Sequence, residues 1–251
     1  VDELEILIDL HKSGARQGPG GDHETRVAIE LAGLDRSRPL KIADIGCGTG
    51  ASTLVLAREL DAHITAVDLF PDFLGVLQAT ADREGLKDKI EPLACSMDAL
   101  PFPDEAYDVI WSEGAIYNMG FENGVKNWKR FLKPGGKLVV SEITWLTATR
   151  PTELQTHWDN EYPEIDTASN KIAILERHGY TPLAYIALPT HCWMDNYYEP
   201  LRSRFPTFLD QHHHSEPARA IIEAEQQEIA LYQKYHPYYT YGVYIAEKTA
   251  S

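Results

Sequence analysis

Apolar residues fall into two rhythms along this chain. Short, almost continuous apolar runs at 41–46 (KIADIG), 63–69, 90–95, 107–112 (YDVIWS) and within LKPGGKLVVSEI alternate with stretches in which apolar residues recur every three or four positions. The first kind reads as strands buried on both faces, the second as amphipathic helices. The segment to residue 60 is the first such helix, and 71–84 is the second, with Pro71 in a first turn where its missing N–H costs nothing. A helix over 123–132 precedes a Pro-Gly-Gly turn that feeds the fifth strand. Helices at 153–160 and 170–178 then lead to strands at 183–188 and 239–246. Strands separated by helices or crossover segments predict an α/β fold with a parallel, doubly wound sheet.

Helical segments at 1–12 and 22–34 precede the first strand. Between the last two strands lie about fifty residues, longer than typical connections, including an amphipathic stretch over 217–235. Such an insertion covers a site, and it is expected to be a lid. No repeat beyond the strand–helix alternation and no Gly/Ser linker divides the chain, so 1–251 is read as one domain. Its parts are N-terminal helices (1–38), a core (39–148), and later helices, lid and last strands (149–251).

With 251 residues and 43% hydrophobic content, one sizeable α/β unit is affordable. No stretch approaches the run of about 20 apolar residues that spans a bilayer, and the start (VDE) lacks a basic-then-apolar leader pattern. A cytoplasmic location and no membrane partner are expected. Cys47, Cys95 and Cys192 are odd in number and lack metal-ligand spacing, which predicts free thiols and no metal. A net charge of −15 repels phosphate backbones, so no nucleic-acid partner is expected and a small-molecule substrate gains. The oligomeric state stays open, a homodimer among the options.

The run Asp44-Ile45-Gly46-Cys47-Gly48-Thr49-Gly50 puts alternating glycines where the first strand turns into the first helix. Backbone can approach a ligand closely there. Asp68 ends the second strand, at the sheet edge where ligands bind, and a carboxylate there can accept two ribose hydroxyls. The spacing G-x-G-x-G, rather than the dinucleotide G-x-G-x-x-G, suits a cofactor without a pyrophosphate.

DIGCGTG, the strand ending AVDLF, SMDALPFPDEAYDVIWSEG and LKPGGKLVVSE resemble the successive motifs of class I S-adenosylmethionine-dependent methyltransferases. QGPGG, GAIYNMGFE and the aromatic C-terminal third resemble a bacterial (Bacteroides-type) small-molecule subgroup of them. The resemblance implies a Rossmann-like, seven-stranded sheet with an antiparallel last strand, S-adenosyl-L-methionine as cofactor and S-adenosyl-L-homocysteine as product. It implies that the backbone of Gly46, Gly48 and Gly50 cradles the methionine moiety and that Asp68 takes the ribose. Leu69 and Phe70 would flank the adenine, with Met97 and Asp98 at its edge. Many relatives have an aspartate where Ser96 stands, which leaves Ser96 and Asp98 as alternatives for the polar contact. Ser112 and Glu113 would border the sulfonium, and Arg16 with the Gly18-Pro19-Gly20 turn would clamp the cofactor's carboxylate. Simpler readings stand beside these: Met97 and Phe70 as core, Asp98 as a turn cap before Pro101, and Asp44 as a partner of the glycine loop.

Methyl transfer from a sulfonium is an in-line displacement, so the protein's task is to align the acceptor and exclude water; a base is needed only if the acceptor must lose a proton. Position at the ligand-binding edge nominates Glu113, Tyr117 and Glu142, with Asn118 and Trp145 beside them. Against this, Glu142 could pair with a basic residue, Asn118 could hold a turn and Trp145 could cover the core. The later aromatics, among them Trp158, Tyr162, Trp193, Tyr197, Tyr198 and a Tyr-dense tail, suit a planar acceptor or a cationic amine. The His212-His213-His214 run reads as a solvated turn, because consecutive side chains diverge. Glu223, Glu225 and Glu228 read as the exposed face of the late helix. A non-methyl reaction of the same cofactor and a non-catalytic cofactor-binding protein are the competing readings.

Overall fold

The computed structural model describes residues 3–249. Leu40–Ile45 (β1), Ala62–Asp68 (β2), Ile90–Ala94 (β3), Tyr107–Ser112 (β4) and Leu132–Trp145 (β5) run parallel. Asp166–Thr167 (β6), Tyr180–Ala187 (β7) and Tyr239–Lys248 (β8) follow. The sheet order is β3-β2-β1-β4-β5-β8-β7, with β8 antiparallel to both neighbours and β6 a parallel addition to β5. The expected seven-stranded path is present. The eighth strand, β6, has two residues and leaves no periodic signal.

Helices connect these strands. They are Glu3–Lys12 (α1), Asp22–Leu31 (α2), Ala51–Glu59 (α3), Pro71–Glu84 (α4), Phe121–Trp128 (α5), Thr152–Glu161 (α6) and Ala168–Arg177 (α7). Thr190–Trp193 (α8) passes through a π turn, Met194–Tyr198, into Glu199–Gln211 (α9), and Glu216–Tyr235 (α10) leads to β8. The expected helix over 1–12 appears from residue 3, positions 1 and 2 lying outside the described residues. The strand expected at 183–188 begins three residues earlier. Pro182 masks it in sequence, but β7 is an edge strand where a missing N–H is tolerated, and the ladder shifts register there. The Pro-Gly-Gly turn loops out of the β4–β5 ladder between the Tyr107–Leu132 and Val109–Lys137 pairs.

Both faces of the sheet are covered, so its central strands are apolar at nearly every position. On one face Ile42, Ile64, Val109, Trp111 and Val139 pack with residues of α3, α4 and the late helices. On the other, Ala43, Ile45, Val67, Ile110, Leu138 and Val140 pack with Phe121, Trp128 and Leu175. The period-2 alternation between the two sets is the geometry of a strand. The late helices fold back onto α1 through His11–Glu225 (3.0 Å) and His212–Asp9 (3.2 Å).

Two ionic links join these layers. Asp108, at the start of β4, accepts hydrogen bonds from Arg38 (2.7 Å), the Lys41 N–H (2.8 Å) and Lys133 (2.9 Å). Burial alone would raise its carboxyl, but these partners hold it down at about 2 against an ordinary 3.8. The second link corrects an expectation. Glu142, nominated for the acceptor site, is fully buried in β5, with Lys171 of α7 at 3.4 Å. Lys171 also donates to the Glu164 carbonyl at 2.7 Å and lies over the Phe121 ring at 4.5 Å. Burial pushes the Glu142 carboxyl up to about 7 while the Lys171 charge opposes it. Glu142 thus joins sheet to helix, and the pairing alternative holds for it.

Two outcomes follow for stability. A carboxyl whose folded value lies below its unfolded one stabilises above pH 3.8, and that contribution is lost as pH falls through about 2. Asp108→Asn is therefore expected to cost about 2 kcal/mol at pH 7, the gap from the parent closing below about pH 3, as read by urea unfolding across pH. Lys171→Met leaves Glu142 without its counter-ion and is expected to cost about 3 kcal/mol at pH 8. Adding Glu142→Gln should restore more than half of that in the same assay; a double variant as unstable as the single one would contradict the pairing.

Candidate functional site

The chain order places the site. From β1 the chain passes by α3 to β2 on one side, whereas β4, its neighbour on the other side, is followed by α5 and β5. Connections leaving in opposite directions open a crevice at the carboxyl ends of β1 and β4. A cavity of about 350 Å³ occupies that position. Its walls come from the ends of β1, β2, β3 and β4 and from the loop joining α1 to α2.

The glycine loop forms the floor. Gly46 and Gly48 adopt φ of 75° and 56°, and a Cβ on them would run into Ala115 and Gln17 respectively. The N–H groups of Gly46 and Cys47 both donate to the Val67 carbonyl (2.8 and 2.9 Å), binding the loop to β2. Gly50 departs from its expected role: it is not in the cavity wall, and a Cβ there would strike Leu77 of α4, so this glycine serves helix packing.

Asp68 closes the loop from the β2 side. One carboxylate oxygen accepts the Gly48 N–H (2.9 Å), the other the Phe70 N–H (3.0 Å). Burial raises its carboxyl, and these backbone donors pull it back. Each oxygen keeps lone-pair capacity toward the cavity. Leu69, 58% exposed, and Phe70 stand beside it, Phe70 held edge-on by Phe73 at 5.6 Å. Met97, Ser96 and Asp98 all line the opposite side, with the Ser96 hydroxyl 3.3 Å from both the Asp98 carboxylate and its N–H.

The remaining wall is electrostatic. Glu113 accepts from Thr25 (2.8 Å) and the Trp111 indole (2.9 Å) on one oxygen and from Arg16 (3.3 Å) on the other. Arg16 also donates to Asp22 at 3.1 Å. Arg16, Gly18 and Glu113 line the cavity as expected from position, but the Arg16 guanidinium is bound by two carboxylates and Glu113 is held by three donors. Glu113 is thus a carboxylate anchored at the cavity wall. Ser112 is a correction: it is fully buried and its hydroxyl donates to the Ile45 carbonyl at 2.7 Å, tying the ends of β1 and β4 together outside the cavity.

Tyr117 stands at the cavity mouth, 44% exposed, edge-on to Tyr162 at 6.1 Å. Asn118 lines the cavity and also donates to the Ala115 carbonyl, so it serves the turn as well. Trp145 is core, with Arg150 stacked at 4.1 Å from its ring. His213 and His214 form an exposed left-handed turn after α9, as the solvated reading has it, whereas His212 is half-buried against Phe208 and pairs with Asp9.

Three groups escaped the sequence. Gln17 accepts the Thr49 N–H at 2.8 Å and donates to the Thr49 hydroxyl at 2.9 Å, clamping the N-terminal segment onto the glycine loop. Glu24, His191 and Cys192 bring their polar atoms within 4.8 Å of one another, although 167 positions separate the first two. Burial, aided by the Glu24 charge, pushes the Cys192 thiol up to about 12, which keeps it protonated. Glu225, read as exposed helix face, is half-buried on α10 and pairs with His11 at 3.0 Å, whereas Glu223 and Glu228 are exposed as read, Glu228 accepting from the Tyr198 hydroxyl at 2.9 Å.

Residues 42–136 match the model of a methyltransferase domain family. Among curated relatives, the demethylmenaquinone methyltransferase of Thermus thermophilus is 34% identical over 47% of this chain and 53% of its own length. The chain spans between 24% and 55% of the length of the curated relatives it matches. Among solved structures, an S-adenosylmethionine-dependent methyltransferase from Geobacter sulfurreducens, in complex with S-adenosyl-L-homocysteine, superposes with a TM-score of 0.84. It is 18% identical, over 96% of this chain and 97% of that one. The [4+2]-cyclase SpnF superposes with a TM-score of 0.78 at 22% identity, over 99% and 93%. Residues 42–136 thus match a methyltransferase domain family, and the chain as a whole has the Rossmann-like methyltransferase fold.

Proposed function

We propose that this chain transfers the methyl group of S-adenosyl-L-methionine to a small-molecule acceptor. The observation that carries the reading is the joint geometry of Gly46, Gly48 and Asp68: a cavity floor so close to Ala115 and Gln17 that a Cβ would collide with them, facing a carboxylate fixed by the floor's own backbone. The methyltransferase-domain match over exactly these motifs supports methyl transfer rather than another reaction on the same fold.

The residues fit the cofactor. Gly46 and Gly48 leave room for its methionine moiety, Asp68 offers acceptors to two ribose hydroxyls, and Leu69, Phe70 and Met97 form an apolar slot for the adenine with Ser96 and Asp98 at its edge. Arg16 and Glu113, each anchored, present opposite charges where the cofactor's carboxylate and ammonium would lie. When bound, the cofactor supplies an electrophilic methyl on a positively charged sulfur. The chain's own residues supply alignment and exclusion of water: Tyr117 roofs the mouth, and Gln17 holds the N-terminal segment down over the loop. Gly50, Ser112 and Glu142 shape or brace this arrangement from outside the cavity.

Calorimetric titration tests the reading. S-Adenosylmethionine and S-adenosylhomocysteine are both expected to bind the parent, and Asp68→Ala to weaken each by roughly 10- to 100-fold. Gly48→Ala should abolish binding while circular dichroism shows the fold retained. Folded parent protein that binds neither compound would refute the proposal.

A further inference from the structure

Glu24, in the first turn of α2, carries a carboxylate that the fold buries: its side chain is 9% exposed. One oxygen meets Nε2 of His191 on α8 at 3.0 Å, and the other, Oε2, is buried with no hydrogen-bond partner. A buried carboxylate needs a paired charge or a metal, and an imidazole supplies charge only when protonated. Among the described residues, His191 is the one basic side chain in an ion pair with Glu24. Arg16 acts on the neighbouring Cys192 thiol, but its guanidinium is taken by Asp22 and Glu113, and the Glu113 carboxylate adds negative charge to the region.

Cys192, next to His191 on α8, completes a cluster. Neighbours on a helix point about 100° apart, yet one ligand atom from each of Glu24, His191 and Cys192 lies within 4.8 Å of the other two. A tetrahedral ion about 2.0 Å from nitrogen and oxygen and about 2.3 Å from sulfur stands among donors about 3.3 to 3.6 Å apart, a spacing within reach of side-chain rotation. Cys192 is fully buried and Glu24 nearly so, whereas the His191 side chain is 48% exposed and gives an ion a way in. Cysteine spacing predicts no metal here because one of the three groups comes from 167 positions away.

We infer that Glu24, His191 and Cys192 bind one zinc-type divalent ion, with the fourth position left to water. Sulfur, imidazole nitrogen and carboxylate oxygen together suit zinc, whereas calcium and magnesium take oxygen sets. On binding, the Cys192 S–H bond breaks, the sulfur–metal bond forms and the proton passes to solvent, while His191 binds through its neutral ring; no electron is transferred. The ion joins the start of α2 to α8, two segments already fastened by the Gly20 N–H on the Cys192 carbonyl (3.2 Å) and by the Asn196 side chain on the Gly20 carbonyl (2.8 Å). Thr25, beside Glu24, donates to Glu113, so the ion braces the cofactor cavity's wall from behind. None of the three ligands lines that cavity, and the site is independent of what the cavity binds.

Cobalt(II) titration of the untagged, chelator-treated and reduced protein tests the assignment. One cobalt per chain is expected to bind with half-saturation below about 100 μM, giving a near-ultraviolet thiolate-to-cobalt charge-transfer band that zinc abolishes. Cys192→Ser should remove the band, and His191→Ala, at an exposed position, should weaken binding at least about tenfold while circular dichroism shows the fold retained. Replacing His213 and His214 together by Ala should change neither. No thiolate band in the parent, half-saturation above that value, or a band and affinity unchanged by His191→Ala or by a folded Cys192→Ser overturns the assignment, as does loss of binding in the His213 and His214 variant. If Cys192→Ser fails to fold, His191→Ala decides.

Discussion

Everything at the site depends on a constraint of parallel sheets. A parallel strand must be re-entered from the same end, so each connection leaves from a carboxyl end and crosses over. Where β1 and β4 lie side by side, their connections leave toward opposite edges, and no backbone fills the space between them. The protein lines this unavoidable gap with chemistry. Ser112, by its hydrogen bond to the Ile45 carbonyl, fixes how far the two strand ends stand apart. The Gly46 and Cys47 N–H groups on Val67 fix the floor against the neighbouring strand.

The wall opposite that floor is built by charge. A segment of the chain outside the sheet, residues 13–25, has few apolar residues with which to hold its place. It is secured by directed contacts: Gln17 on Thr49, and Thr25 and Arg16 on Glu113. Hydrogen bonds to a carboxylate are among the stronger ones available to a side chain, and they fix direction as well as distance. The same contacts hold the Glu113 carboxylate in place at the cavity wall, with donors on both of its oxygens.

The framework was legible in the sequence because parallel strands and glycine turns leave dense local signals. The motif residues Gly46, Gly48 and Asp68 stand where their spacing predicted, because strand, turn and strand end fix their relative positions within a single repeat. Glu142 and Ser112 misled for a related reason: they are polar and near strand ends, but both are fully buried, Glu142 against Lys171 and Ser112 on the Ile45 carbonyl, and burial of a polar group by a distant partner leaves no local signal. Gln17 and Thr49 meet across 32 positions and Glu24 and His191 across 167, distances over which no local pattern exists. Glu225 was misread because helical periodicity equates polar with outward, whereas His11 of α1 pairs with it across that side of α10.

The π turn at Met194–Tyr198 has a consequence for how such a protein diversifies. Widening a helix by one residue rotates everything after it relative to everything before, so the turn sets the facing of Tyr197 and Tyr198 independently of α8. Its lengthening or loss would re-aim these rings without altering any strand. That element, with α9 and α10, lies wholly beyond the matched segment 42–136. The two halves of the crevice are therefore separately heritable: drift in the late helices can trade one guest for another while the glycine floor goes on holding the same tenant.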